Sequence, residues 1–121
     1  MEERITINGV DYVRADSINS SRTAAEGMDY CMVRTYSAGV FAGYLESRDG
    51  KEVVLRNARR IWYWSGAASL SELAARGTSK PQDCKFPCAV DKVFLTEAIE
   101  IIPITNAAKN SIDEVPEWTM Q

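Results

Sequence analysis

The chain has 121 residues, 45% of them hydrophobic and 26% charged, and carries a net charge of −3 at pH 7. This length suits one domain with a core and leaves no room for two. The composition is that of a soluble globular protein, apolar runs as short as "VFL" and "IEIIPI" cannot span a bilayer, and the acidic balance argues against a basic stripe for long nucleic acid.

In chain order, "ITINGVDYV" alternates on either side of Asn8-Gly9, a dipeptide suited to a tight hairpin turn, and predicts a small N-terminal β-ribbon. Residues 15–29 are small and polar and read as a linker. Residues 1–29 therefore form an N-terminal hairpin and linker, and residues 30–121 an antiparallel-sheet ligand-binding domain. Strand residues cluster at 30–36, 40–47 and 52–64. A break at "SAG" and a hairpin turn at "RDGK" make these a meander, with a bend near Asn57-Ala58 in the long third segment.

"SLSELAARG" is a helix signal: Ser69 caps it with Glu72 three residues on, and Gly77 ends it. "GTSKPQDCKFPC" is a loop held open by Pro81 and Pro87. "AVDKVFLTEAIEIIPI" reads as one long strand or two joined at a bulge, with Val93, Leu95, Ile99 and Ile101 on one face. Thr105 caps a second helix, and Pro116 stops it. The predicted class is α+β: an antiparallel meander, two short helices and the N-terminal ribbon.

The chain has no histidine. That removes the commonest general base, the usual partner of a Ser or Cys nucleophile and a frequent zinc ligand. Cys31, Cys84 and Cys88 are too few for a structural zinc site without it, and a disulfide is not expected in a reducing compartment. The 17 Asp and Glu residues lie mostly in turn contexts such as "SRDGKE" and "IDEVPE". The expectation is a non-catalytic protein with no metal and no cofactor. The acidic, polar start is unlike a secretory signal, which points to the cytoplasm.

Binding chemistry concentrates in "NARRIWYW". Strand alternation places Arg60, Trp62 and Trp64 on one face and Arg59, Ile61 and Tyr63 on the other. Aromatic residues are favoured in strands, and an arginine stem often covers a neighbouring ring. The functional alternative is a pocket in which a guanidinium binds phosphate and a ring stacks a base. Arg34 and Arg56, on neighbouring strands, add positive charge, and Asn57 adds an amide. A second constellation, "RTYSAGVFAG", offers Tyr36, Ser37 and a glycine break at Gly39, where backbone N–H groups can cradle an anion. Lys85 and Phe86 of "CKFPC" supply a cation and a ring in a Pro-bounded loop, with Phe86 expected to be exposed.

The string "VRTYSAGVFAGYLESRDGKEVVLRNARRIWYWSGAASLSELAARGT", followed by "CKFP" and "LTEAIEIIPIT", resembles the Thoeris anti-defence proteins of the first type, small proteins of bacteriophages and prophages. The resemblance covers residues 32–118 and is most specific at "NARRIWYWSGA". It implies a sponge in the cytoplasm of the infected host. Such a protein sequesters a cyclic ADP-ribose isomer, and in some members a cyclic oligonucleotide at a separate site, without cleaving it. It also implies a homo-oligomer, dimer or hexamer. A base-stacking cation from the C-terminal helix would be Lys109, which stacks less well than arginine. The rival readings are a small nucleic-acid-binding module and a phage structural or assembly protein that uses the aromatic strand as a subunit interface.

Overall fold

The computed structural model describes residues 27–120. The predicted N-terminal ribbon and most of the predicted linker lie outside these residues. Five strands, β1 (Asp29–Thr35), β2 (Val40–Asp49), β3 (Glu52–Arg60), β4 (Ala89–Leu95) and β5 (Ala98–Pro103), form one antiparallel sheet in the order β4-β3-β2-β1-β5. Two helices, α1 (Leu70–Arg76) and α2 (Asn106–Asp113), complete an α+β fold.

The meander of β1, β2 and β3 matches the sequence reading, but the third strand stops at Arg60 rather than continuing to residue 64. The segment 89–104 departs further. It is two strands at opposite edges of the sheet, neither one long strand nor two joined at a bulge. Leu95 and Ala98 are three Cα steps apart, a reach of at most ~11 Å. Yet Leu95 pairs with the start of β3 and Ala98 with the end of β1. A flat sheet would set these positions too far apart, so the sheet must fold over on itself.

The fold-over has a local cause in two bulges. Ala42 pairs with Arg59 and Tyr44 with Arg56, so Asn57 and Ala58 together face Gly43; Glu46 is the extra residue on β2 between Leu45 and Ser47. Bulges bend the strand and raise its twist. Asn57 takes the left-handed conformation at φ 51°, which asparagine tolerates better than most residues. Gly43 lets the backbones close up, since a Cβ there would lie 3.0 Å from the Ala58 Cα. The folded hairpin tip then reaches β5, where the Ala98 N–H donates to the Lys51 carbonyl at 3.0 Å.

Alternation along the strands feeds two cores. One lies inside the fold-over and contains Val33, Phe41, Val53, Leu55 and Leu95. The other lies under the helices and contains Met32, Ala42, Ile61, Leu73, Phe86, Ala108 and Ile112. The helix caps follow the sequence signals: the Ser69 hydroxyl accepts from the Glu72 N–H, and the Thr105 hydroxyl from the Ala108 N–H. Gly77, at φ 80°, ends α1 where any Cβ would collide with Ser111, so that residue also sets how closely the helices pack.

Candidate functional site

Arg59 and Arg60 are adjacent, and the strand sends them to opposite faces. Arg59 points under the helices, where its guanidinium donates to four backbone carbonyls: Pro87 at 2.9 Å, Phe86 at 3.0 Å, Ile112 at 3.1 Å and Val115 at 2.8 Å. Its carbon also lies 5.4 Å from the centre of the Phe86 ring. Burial lowers its pKa from the ordinary arginine value. Four carbonyls, two from the loop before β4 and two at the end of α2 and just beyond it, leave this group fastened in place. Its role is structural, and the sequence-based assignment to ligand is corrected.

Phe86 is corrected for the same reason. It is fully buried in the helix-side core, because the loop turns its ring inward beneath Arg59. Arg56 is engaged elsewhere: it pairs with Glu46 and Asp91 at 3.2 Å each, and its hydrogen bonds to Asp91 and then Glu46 raise its pKa. Asn57 owes its identity to the bulge. Arg34 is held cross-strand by Glu100 at 2.9 Å.

Arg60 is different. It is exposed, donates to the Ala38 carbonyl and lies 4.4 Å over the Phe41 ring. Its contact with Ala38 joins it to the turn between β1 and β2, which contains Tyr36, Ser37 and Gly39. Thr35 makes the turn by donating its N–H and hydroxyl to the Gly39 carbonyl at 3.0 and 2.8 Å, and Gly39 sits at φ 101°. The Ser37 hydroxyl donates to Glu97 at 2.7 Å. Tyr36 projects from this turn, 76% exposed.

Beyond Trp62 the regular alternation fails. Ile61 and Trp64 both pack into the helix-side core, while Trp62 and Tyr63 face outward. The chain has left the β3 ladder here to form an isolated bridge, Tyr63 with Lys85; a second, Phe86 with Glu117, brings in the C-terminal segment. Trp62, 62% exposed, consequently stacks on Trp118, with ring centres 6.2 Å apart and planes 15° from parallel. The Lys85 ammonium stands 5.5 Å from the Trp118 ring and 6.0 Å from Tyr63.

The structure thus brings together Arg60, Tyr36, Ser37 and Gly39, with Trp62 and Lys85 next along the same end of the sheet. Sequence reasoning missed Trp118 and Tyr63. The available signal was a tryptophan in the otherwise polar "PEWTMQ" tail. Lys109 stands apart: it pairs with Asp113 at 2.8 Å and lies 5.4 Å over Tyr30 and 5.8 Å over Tyr44. Exposed indoles beside a lysine can stack a flat ring and neutralise an adjoining anion. Among the described residues, no group of three or more His, Cys, Asp and Glu could hold a metal ion, and no helix is long and apolar enough to cross a membrane.

Residues 28–112 match the family model described as a domain of unknown function, DUF6948, and the chain belongs to that family. The matched span contains Arg60, Trp62 and Lys85 and ends before Trp118. No curated protein and no solved structure matches the chain.

Proposed function

We propose that this member of the DUF6948 family is a phage anti-defence sponge. It binds a cyclic ADP-ribose-type signal in the cytoplasm of the infected bacterium and withholds it without breaking it. The observation that carries this reading is the exposed Trp62–Trp118 stack, with Tyr63 and Lys85 against it and Arg60 two residues away. The resemblance centred on "NARRIWYWSGA" supports it from the sequence. The indoles supply the stacking face for a purine, and Arg60 and Lys85 supply charge for its phosphates. A stoichiometric sponge needs sub-micromolar binding, more than ~8 kcal/mol, which charge-assisted hydrogen bonds and stacking together can provide.

The same exposed aromatics favour a homo-oligomer, dimer or hexamer, because Trp, Tyr and Arg are enriched at subunit interfaces. A second reading, a structural or assembly protein, uses the patch for subunit contact alone. One experiment separates the two. The purified protein is incubated with cyclic ADP-ribose isomers, freed of unbound ligand, then heated and chromatographed. A sponge releases intact ligand in proportion to protein. An assembly protein releases none, and accumulation of ADP-ribose beyond the protein concentration would identify a hydrolase.

A further inference from the structure

Trp118 is held against Trp62 from the other side of the chain. Its N–H donates to the Phe86 carbonyl at 3.0 Å, and Glu117, just before it, bridges the same residue. A carbonyl oxygen has two lone pairs, and the Phe86 oxygen also accepts from Nη2 of Arg59 at 3.0 Å. The same Nη2 donates to the Val115 carbonyl at 2.8 Å. One guanidinium nitrogen thus joins the loop at Phe86 to the chain three residues before Trp118. Pro116 lies in that short span and stiffens it, because its ring fixes φ.

The facing indole hangs from the same loop. Tyr63, next to Trp62, and Lys85, next to Phe86, exchange both backbone hydrogen bonds, at 3.2 and 2.8 Å. Two adjacent loop residues therefore set the gap between the rings, Lys85 on the Trp62 side and Phe86 on the Trp118 side. Both indoles are exposed, so the surface around them gives their contact little support. Arginine suits the post beneath them, because its planar fork presents several donors in fixed directions, which the single ammonium of lysine does not.

We propose that Arg59 is the positioning residue of the aromatic patch: through the Phe86 and Val115 carbonyls it fixes where Trp118 stands against Trp62, without itself touching a ligand. The effect on ligand affinity rests on the sponge reading. The effect on the two rings does not.

The test is NMR on the full chain, reading the nuclear Overhauser contacts between the Trp62 and Trp118 indoles. These contacts should be present in the wild type, weaker in Arg59→Lys and lost in Arg59→Ala. Leu73→Ala serves as the control, because Leu73 is fully buried in the same helix-side core. It should lower stability and leave the ring contacts intact. Contacts of wild-type strength in either folded Arg59 variant would overturn the proposal, as would equal loss in Leu73→Ala. Calorimetry with cyclic ADP-ribose adds the second arm. Arg59→Ala should raise Kd about fivefold or more, as for a lost stacking partner. Added to Trp118→Ala, it should raise Kd no further, since the two changes remove one interaction. A further rise of the same size would place the action of Arg59 elsewhere and overturn the proposal. If the wild type takes up no cyclic ADP-ribose, the sponge reading falls, and the ring contacts alone decide the role of Arg59.

Discussion

Arg59 and Arg60 have the same side chain and adjacent positions, but they serve opposite regions of the molecule. On the helix-covered side, the guanidinium of Arg59 spends four of its five N–H donors on carbonyls and holds β3, the loop around Phe86 and the end of α2 together. On the open side, Arg60 has one carbonyl partner and a ring beneath it, with exposed aromatics nearby. The lesson is that a cation's availability to a ligand depends on how many acceptors the fold has already given it. Residue type and strand position do not set that number.

The largest expected effect lies on the covered side. Arg59→Ala should destabilise the fold by about 3 kcal/mol, since four part-buried backbone carbonyls lose their charged donor. Urea unfolding measures this. Arg59→Lys should recover only part, because an ammonium cannot span acceptors spread over a planar fork. A midpoint unchanged by Arg59→Ala would erase the contrast between the two arginines.

Next comes the open side, read through ligand. Arg60→Ala should cost about 1.5–3 kcal/mol of cyclic ADP-ribose affinity, the range for a charged hydrogen bond, with a small change in stability. Calorimetry on the folded variant decides it: wild-type affinity would move the phosphate contact away from Arg60. Trp118→Ala should cost about 1–3 kcal/mol through lost stacking. If stacking matters, Trp118→Phe should retain more affinity than Trp118→Ala.

The smallest effect extends the contrast between closed and open to the thiols. Cys31 is buried and Cys88 exposed. Burial, then the nearby Asp29 carboxylate, pushes the Cys31 thiol up from 9.0 to about 11. Between those values the unfolded chain has released a proton that the folded chain keeps. Stability from this group is therefore full below pH 9 and declines as pH rises towards 11. Tyr30, raised by burial and then by Asp113, adds to the decline from pH 10 upwards. Denaturant unfolding against pH should show a shallower alkaline fall in Cys31→Ala than in wild type. At neutral pH a thiol reagent should modify Cys88 well before Cys31.

Local signals in the chain were enough to place the helices, the meander and the bend. Ser69 with Glu72, Thr105, Gly77 and Asn57-Ala58 act through hydrogen bonds and backbone angles a few residues away, so their meaning survives without the rest of the fold. The strands β1 and β2 were equally readable from their β-branched and aromatic residues, although runs of both are buried on two faces, Cys31–Val33 and Phe41–Tyr44, because they lie between two cores. Strand alternation misled at residues 63 and 64, where the chain has left the ladder, Tyr63 faces outward and Trp64 turns into the helix-side core. It also misled at 89–104, where the fold-over brings opposite edges of the sheet close enough for Thr96 and Glu97 to bridge them. Arg59 and Phe86 became structural, and Trp118 joined Trp62, through partners up to 56 positions away in the chain. No local pattern encodes such distant neighbours. They follow from which surfaces the folded sheet and helices bring together and which they leave in water.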